Sequence, residues 1–391
     1  MSRCLRILQL MSATTNVAVP QNRLWLRNLH EPLVEMGHDV VLLPAEEGRR
    51  ARAEHDARER ERFSEAMLAR FRREHAKRPF DLFFAYLMDG MIDPAAIDEI
   101  RSAGVPTCNF SCNNVHQFDL VDGLSPHFDF NLHSERDVGD KFRRIDANPL
   151  WFPMAANPRY YHPMALPRTI DASFVGQCYA RRPWYVLRVL TEGIDLQVYG
   201  PGWLRPPPRR MVGRPARAAR RAMALVRIGV ERDPTSRHLR TAAMANEDLR
   251  TRLESEYRAH LHEPVADDEM VSLYSRSSMS LGFLEVFDQH DPSARVVQHV
   301  HLREFEAPMC GACYVTNYSE ELAEFFEPDL EVVMWRNEHE LVEKVKFYLT
   351  HPAQAQGIRD AGLRRALDCH TYERRFTDLF RRLGLLSGGV G

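Results

Sequence analysis

The chain has 391 residues, of which 44% are apolar and 27% are charged, a composition typical of ordinary folded proteins. Its 52 basic and 54 acidic residues leave a formal charge of −2, which excludes a general electrostatic attraction to nucleic acid. The seven cysteines, an odd number spread from Cys4 to Cys369, argue against a disulfide framework and favour a reducing cytoplasm. A chain of this length is expected to form about two to three domains.

The amino-terminal sequence SRCLRILQLM enters an apolar stretch at once, without the cleavage site of a signal peptide. The sequence has no run of about 18 uncharged apolar residues, so we expect no membrane span.

A predicted strand, a predicted helix, a glycine and another strand recur along the chain. Leu5–Met11 is the first predicted strand, and Asn22–Met36 has the apolar spacing of a helix. The junction from helix to strand recurs at Gly37, Gly104, Gly193 and Gly311. The other predicted strands are His38–Leu43, Asp81–Leu87, Val105–Phe110, Phe128–Leu132, Ile170–Val175, Ile194–Tyr199, Ser277–Phe283, Cys313–Thr316 and Glu331–Met334. This alternation predicts α/β domains with parallel sheets and helices on both faces.

A proline-stiffened connector at 155–168 separates two series of these units. We therefore expect a first domain at 1–160 and a second at 168–370, the second carrying a basic insert at 205–258. Between the first strands, Glu46–Arg78 has one apolar stripe and predicts a single amphipathic helix.

Polar side chains follow several of the predicted strands. The richest loop, Ser111–Asp119, lies where open parallel sheets bind their ligands. Within it, His116 or the neighbouring Asp119 is a candidate general base for a hydroxyl group. Other strand ends offer Thr14, Thr15, Asn16, Asp89, Asn113, Asn114 and His133. Each could instead satisfy backbone groups of its own loop. Cys108, Cys112 and His116 do not have the spacing of a zinc site, so we expect no metal.

The second series opens with a turn that suits a diphosphate. Gly176 follows the strand Ile170–Val175, and Arg181 and Arg182 stand at the entrance of a helix whose first turn holds Pro183. A helix amino terminus with two guanidinium groups is a favourable site for phosphate groups. The alternative is a pair of solvated arginines.

A second candidate site lies in the stretch RxFExPMCGACYVTN, residues 303–317. Arg303 and Glu306 share one helix face, and Gly311 then ends the helix before a strand. A carboxylate there could accept two hydrogen bonds from ribose hydroxyls while the arginine meets phosphates. The alternative is an ion pair that only stabilises a surface helix. Gly282, near the end of the strand SMSLGFL, belongs to the same expected site.

The segment 205–227 departs from this pattern, with eight arginines and no acidic residue. Its spacing predicts a basic amphipathic helix for a membrane surface or an anionic acceptor. The alternative is an alanine-rich insert that packs lightly on the domain with a solvated arginine face.

With these motifs in place, the sequence resembles group 1 glycosyltransferases of the GT-B fold, above all their CgeB-like, or spore-maturation-protein-like, branch. The resemblance is carried by SFVGQCYARRP, SMSLGF, the stretch at 303–317 and the connector WFPMAANPRYYHP. It implies two Rossmann-like, doubly wound domains that face a central cleft. It also implies that the last predicted helix, Thr371–Leu383, crosses back to the first domain.

By the same resemblance, Glu306 would hold the ribose of a nucleotide and Arg181 or Arg182 its diphosphate. Many retaining members carry a second glutamate eight residues earlier, where this chain has Gln298, so the stereochemistry is not carried over. The expected activity is sugar transfer from a nucleotide-diphospho-sugar, a UDP-sugar by preference, to a glycan, protein or small-molecule hydroxyl. We expect no required cofactor or metal, a cytoplasmic location with possible peripheral membrane contact through 205–230, and no nucleic-acid partner. The alternatives are a sugar-nucleotide epimerase or hydrolase, and a non-catalytic module that binds lipid or nucleic acid through the insert.

Overall fold

The computed structural model describes residues 3–12, 23–205, 247–287 and 296–386. Two sequence expectations lie outside these residues: the polar groups at 14–16 and the basic amphipathic helix after residue 205. The rest of the chain forms two parallel six-stranded sheets and a small antiparallel hairpin. The expected α/β architecture is therefore confirmed.

The first sheet has the strand order β2-β1-β3-β4-β5-β6, and all its neighbouring strands are parallel. Its strands are β1 Arg6–Met11, β2 Asp39–Pro44, β3 Leu82–Ala85, β4 Thr107–Ser111, β5 Phe130–His133 and β6 Pro149–Trp151. The central strands β1, β3 and β4 are buried throughout, because helices cover both faces of the sheet.

The second sheet has the order β14-β13-β10-β7-β8-β9 and is also parallel. Its strands are β7 Ile170–Val175, β8 Leu196–Tyr199, β9 Leu261–His262, β10 Ser277–Leu281, β13 Tyr314–Asn317 and β14 Val333–Trp335. The hairpin pairs β11 Glu285–Phe287 with β12 Val296–Gln298. The predicted strands of both halves are therefore confirmed, with ends that move by at most two residues.

The helices that carry labels here are α1 Glu31–Glu35, α2 Glu46–Glu54, α3 Ala57–Lys77, α4 Pro94–Ser102, α5 Gly139–Arg143, α6 Arg182–Thr191, α7 Asp267–Arg276, α8 Arg303–Met309, α9 Glu320–Phe325, α10 Glu338–Thr350, α11 Pro352–Cys369 and α12 Tyr372–Arg382. A π-helical turn, Leu26–His30, precedes α1, and residues 247–256 are also helical. Within the described parts of the chain, no helix is long and apolar enough to cross a membrane.

The single helix predicted over Glu46–Arg78 is wrong, because the structure has two helices there. His55 adopts a left-handed φ of 54°, which ends α2. Asp56 then caps α3, and its carboxylate accepts hydrogen bonds from two backbone N–H groups at 3.0 Å. Such a cap satisfies donors that a helix start leaves without partners, so the chain can begin a new helix at once.

The four predicted helix–glycine–strand junctions are confirmed, since Gly37, Gly104, Gly193 and Gly311 have φ between 70° and 83°. We expect Gly311→Ala to destabilise the protein by about 1–2 kcal/mol, because its φ is 70° and a Cβ would lie 3.2 Å from Pro163. The matched change Gly357→Ala adds a Cβ with nothing within 4 Å, inside α11, and should stabilise by about 0.5–1 kcal/mol. Urea unfolding measures both, and equal effects would contradict this account of Gly311.

The last helix, α12, packs on the first sheet. The Phe376 ring lies 5.6 Å from that of Phe84 and 5.4 Å from that of Phe152, between ring centroids. A β-bridge between Ala156 and Thr371 ties the start of α12 to the connector. The expected crossing of the final helix back to the first half is therefore confirmed.

Candidate active site

A cavity of about 440 Å³ lies between the two sheets. Its walls include Tyr86 and Asn113, which follow β3 and β4, and Gly176, Gly200 and Gly282, which follow β7, β8 and β10. The carboxyl ends of both sheets therefore open into one space, as in ligand sites of parallel α/β sheets. The volume lies in the usual range of roughly 300–1,000 Å³ for small-molecule sites.

Arg182 lines this cavity at the start of α6, and it is 8% exposed. Its two Nη atoms donate to the backbone carbonyls of Gln177 at 3.2 Å and Phe283 at 3.1 Å. Its guanidinium also lies 4.0 Å from the centre of the Tyr179 ring. These contacts fix a positive charge beside Gly176, where the sequence predicts a diphosphate.

Arg181, the other predicted phosphate ligand, is exposed and is not part of the cavity wall. Its Nη1 lies 3.9 Å from a carboxylate oxygen of Glu285. The two neighbouring arginines differ because Arg181 is the N-cap of α6, whereas Arg182 is its first residue and turns inward. The structure therefore favours Arg182 where the sequence left a choice.

Arg303 also lines the cavity, with its side chain one-third exposed. Its Nε donates to the backbone carbonyl of Val175, the last residue of β7. Its Nη1 lies 3.4 Å from Glu306 Oε2, which is the predicted ion pair on one helix face. The guanidinium is therefore anchored at one edge while the rest of it remains available to a ligand.

Glu306 is placed differently from the expectation that it holds a ribose. Its side chain is 0% exposed and is not part of the cavity wall. Burial raises its pKa to about 7, against the opposing effect of Arg303. The buried Tyr161 hydroxyl is its other close polar neighbour. In this structure the Glu306 carboxylate is therefore buried between Arg303 and the connector residue Tyr161, outside the cavity wall.

Glu304 lines the cavity instead, and the sequence analysis missed it. It is 2% exposed, and its carboxylate accepts a hydrogen bond from the Tyr314 hydroxyl at 2.8 Å and from the His301 backbone at 2.6 Å. Burial raises its pKa. Its main partner, Tyr314, lies on β13 beyond the glycine that ends the helix, so no helical spacing relates the two.

Gly282 leaves room for this pair. A Cβ at Gly282 would lie 1.8 Å from the Tyr314 hydroxyl, far inside van der Waals contact. We expect Gly282→Ala to displace Tyr314, to lower the melting temperature and to weaken ligand binding in the cavity at least about tenfold, a loss of about 1.4 kcal/mol. The change is measured by thermal unfolding and calorimetric titration with UDP. An Ala variant with unchanged stability and UDP affinity would contradict this role.

Tyr314→Phe tests the same part of the cavity wall with a smaller change, because it removes one hydroxyl group and adds no atom. It removes one donor from a buried carboxylate, which should cost about 1–3 kcal/mol of unfolding free energy in urea. Tyr348→Phe, on α10 outside the cavity wall, is the matched control and should cost less than about 0.5 kcal/mol. Equal losses in the two variants would show that the Tyr314 hydroxyl has no special role.

His116 and Asp119, the predicted general bases, are not part of the cavity wall. Asn113 adopts a left-handed φ of 66°, and its carbonyl accepts hydrogen bonds from the two backbone N–H groups of residues 116 and 117. This tight turn leaves Asn113 on the cavity wall, buries His116 behind it and carries Asp119 to the surface. The structure therefore does not place either side chain where a hydroxyl in this cavity would bind.

Polar contacts join the two halves on both sides of the cavity. Arg27 lies 2.9 Å from Asp267 and 3.0 Å from Asp268, and its guanidinium stacks 3.5 Å from the centre of the Tyr160 ring. On the other side, the backbone N–H of Arg136 donates to Glu321 Oε1 at 2.9 Å. Residues of both halves therefore flank the cavity in this conformation.

A third contact between the halves lies at the cavity wall itself. His299 Nε2 is 2.8 Å from Glu135 Oε1, and the side chains are 1% and 2% exposed. Neither residue was predicted, because each acquires its role only from a partner in the other half of the chain. In the parts of the chain that the structure describes, no group of three or more His, Cys, Asp or Glu side chains is arranged to hold a metal ion.

Comparison with known families matches residues 181–381, just over half of the chain, to the family described as glycosyl transferase-like. No curated protein matches the sequence. The match spans Arg181 through most of α12 and so includes Arg182, Arg303 and Glu306.

Solved structures resemble the whole chain in fold. Sucrose-phosphate synthase from Thermosynechococcus elongatus is 15% identical, with a TM-score of 0.59, over 97% of this chain and 99% of that one. HepE of Anabaena in complex with UDP and glucose is 10% identical, with a TM-score of 0.55, over 97% and 99%. An alpha-glucosyltransferase in complex with UDP-glucose and DNA is 10% identical, with a TM-score of 0.59, over 98% and 100%. These likenesses establish the two-domain fold, which is that of GT-B enzymes.

Proposed function

This chain belongs to the glycosyl transferase-like family, and on that premise we propose that it moves a sugar from a nucleotide-diphospho-sugar to an acceptor hydroxyl. The observation that carries the proposal is a cavity at the facing carboxyl ends of two parallel sheets, lined by the anchored guanidinium groups of Arg182 and Arg303. A UDP-sugar is the donor that we propose, since UDP or UDP-glucose is bound to two of the structurally similar proteins.

Arg182 and Arg303 support the placement of the diphosphate. Guanidinium groups form paired hydrogen bonds with phosphate oxygens, and the amino terminus of α6 adds the positive end of a helix dipole. As the bond to the sugar breaks, charge develops on the departing diphosphate. Fixed donors that need no reorganisation stabilise that charge. We therefore propose that transfer proceeds without a required metal.

The acceptor enters, in this proposal, from the wall that belongs to the first sheet. Tyr86, Cys112 and Asn113 lie there, opposite the arginines of the second sheet. Enclosure of the cavity by both halves would exclude water and limit hydrolysis of the donor. We place the chain in the CgeB-like branch because of its stretch RxFExPMCGACYVTN. We also propose the cytoplasm as its compartment, since all seven cysteines are free thiols.

A thermal-shift screen tests this proposal. Uridine, adenosine, guanosine and thymidine diphosphates and their sugar conjugates are compared at equal concentration. A ligand at about 100 times its Kd adds about 2.7 kcal/mol of stability, so a binder raises the melting temperature. We expect UDP and a UDP-sugar to stabilise most, and a mass shift of an added acceptor to confirm transfer. A screen in which no nucleotide raises the melting temperature would contradict the proposal.

A further inference from the structure

We propose that His299, held by Glu135 across the domain boundary, is the general base that takes the proton from the acceptor hydroxyl. This inference rests on the proposed sugar transfer and assigns a residue to its chemical step. We assign the base to His299, on the second half of the chain, and not to His116 or Asp119 on the first-half loop.

The geometry of the pair carries the inference. The His299 ring lines the cavity, and its Nε2 forms the 2.8 Å ion-pair contact with Glu135 Oε1. Both ring nitrogens are buried, and neither has a partner in full hydrogen-bond geometry among the residues that the structure describes; Glu135 is beside Nε2, and Nδ1 has no such neighbour. A carboxylate beside Nε2 favours a proton on that nitrogen, which leaves the Nδ1 lone pair to accept a proton from substrate. A base oriented by a third group is the usual arrangement of an activated hydroxyl.

Glu135 is itself held in place. The backbone N–H of Asn114 donates to its Oε1 at 3.2 Å, and the Asn114 side-chain amide lies 3.5 Å from its Oε2. Burial by itself would raise the pKa of Glu135, but the adjacent His299, together with hydrogen bonds from the backbone N–H of Glu135 itself and from Ser134, lowers it overall. Glu135 is therefore an ionised positioning residue, and it does not itself reach the cavity wall.

Several titratable groups face His299. From the first half these are Glu135 and His116, whose ring centroid lies 6.0 Å away. From the second half they are Glu304, Glu321 and His301, whose ring centroid lies 4.1 Å away. Glu135 is the only one of the five at ion-pair distance from His299.

Transfer of the sugar takes place as a single displacement. The acceptor oxygen forms a bond to the anomeric carbon while the bond from that carbon to the β-phosphate oxygen breaks. The electron pair leaves with the nucleoside diphosphate, and the acceptor proton goes to His299 Nδ1. Since His299 and Glu135 lie on different halves, the base is complete only when the two domains enclose the cavity. That dependence would couple activation of the acceptor to enclosure of the donor.

The test uses UDP-glucose with water as the acceptor, because release of UDP then reports the step directly. We expect His299→Gln to bind UDP within about threefold of the unmodified protein but to lose about 10²–10⁴ in UDP release, the usual worth of a general base. The rise of activity with pH should disappear in this variant. Glu135→Gln should shift that rise to lower pH, because loss of the carboxylate makes the imidazole easier to deprotonate.

His339→Gln is the matched control. His339 also contacts a glutamate, Glu343, at 3.2 Å, but both side chains are exposed on α10. Its variant should keep the rate and the pH profile. The glucose first released should have inverted its anomeric configuration, as a single displacement requires. Nitrogen-15 spectra of the histidines, with His299 assigned by difference, should show its Nε2–H tautomer near pH 7.5.

The outcomes separate the two proposals. UDP release by His299→Gln at the normal rate, retention of configuration, or the opposite tautomer would each overturn the role of His299 and leave sugar transfer intact. If no nucleotide binds the unmodified protein, the proposed function fails and the assignment of His299 fails with it.

Discussion

Replacement of Arg303 by methionine should lower the affinity for UDP by about 10–100-fold. Hydrogen bonds to a charged partner are worth about 1.5–3 kcal/mol each, and the methionine keeps the bulk of the side chain without the donors. The effect is measured by calorimetric titration with UDP and with uridine. Uridine affinity should change less than about threefold, because uridine has no diphosphate.

The Arg303 variant also leaves the buried Glu306 without its ion-pair partner. The double variant Arg303→Met with Glu306→Gln removes both charges. No unpaired carboxylate then remains buried, so the UDP affinity of a folded protein can be measured. This double variant should bind UDP as weakly as the single variant. A normal UDP affinity in either folded variant would show that Arg303 does not meet the diphosphate.

The two neighbouring arginines at the start of α6 allow a second comparison of UDP affinities by the same titration. Arg182→Lys keeps a positive charge but loses the donors that hold the carbonyls of Gln177 and Phe283, so UDP affinity should fall at least about tenfold. Arg181→Lys, on the exposed side of the helix start, should change it less than about twofold. Equal effects would mean that the inward turn of Arg182 has no part in binding.

The second large effect concerns the pH dependence of stability. Burial raises the pKa of Glu306 to about 7, above its usual range near 4.5. The folded protein therefore holds this proton more tightly than the unfolded chain does, and unfolding free energy falls as pH rises from about 4.5 to 7. The loss of unfolding free energy that is due to Glu306 is on the order of 3 kcal/mol.

The variant Glu306→Gln has no such titration. Urea unfolding at pH 5, 6, 7 and 8 should show the unmodified protein losing stability relative to Glu306→Gln as the pH rises. Glu343→Gln, an exposed change on α10, should follow the unmodified protein at every pH. A constant difference between Glu306→Gln and the unmodified protein would mean that the buried carboxyl ionises as easily in the folded state.

The same variant separates two roles for Glu306. A carboxylate that grips a ribose would give Glu306→Gln or Glu306→Ala a loss of at least about tenfold in donor KM or turnover, as the family resemblance implies. The buried position leads us to expect a loss of less than about fivefold for Glu306→Gln, through a looser Arg303 alone. A tenfold loss of UDP affinity, without one for UDP lacking its ribose hydroxyls, would restore the ribose role.

The fold was largely predictable because its signals are local. Short strand-like runs that end at Gly176 and Gly282 mark β7 and β10, and a left-handed glycine ends a helix whatever surrounds it. The break at His55 was missed because nothing in the stripe of apolar residues reports a residue that leaves the helical region.

The site was less predictable because its geometry depends on distant partners. The spacing of Arg303 and Glu306 correctly gives one ion pair, but it does not say which of the two faces the cavity. The position of the Glu304 carboxylate depends on the hydrogen bond that it accepts from Tyr314, on the next strand. Glu135 and His299 meet only after both sheets have formed and docked, so neither carries a signal in its own neighbourhood.

A crystal structure of the protein with UDP bound would test the assignment of the diphosphate to Arg182 and Arg303. We expect the diphosphate in the cavity between the sheets, within hydrogen-bond distance of the guanidinium groups of Arg182 and Arg303. We also expect the Glu306 carboxylate to remain buried behind them. UDP bound elsewhere on the chain, or in the cavity with its phosphates turned away from both arginines, would contradict this assignment.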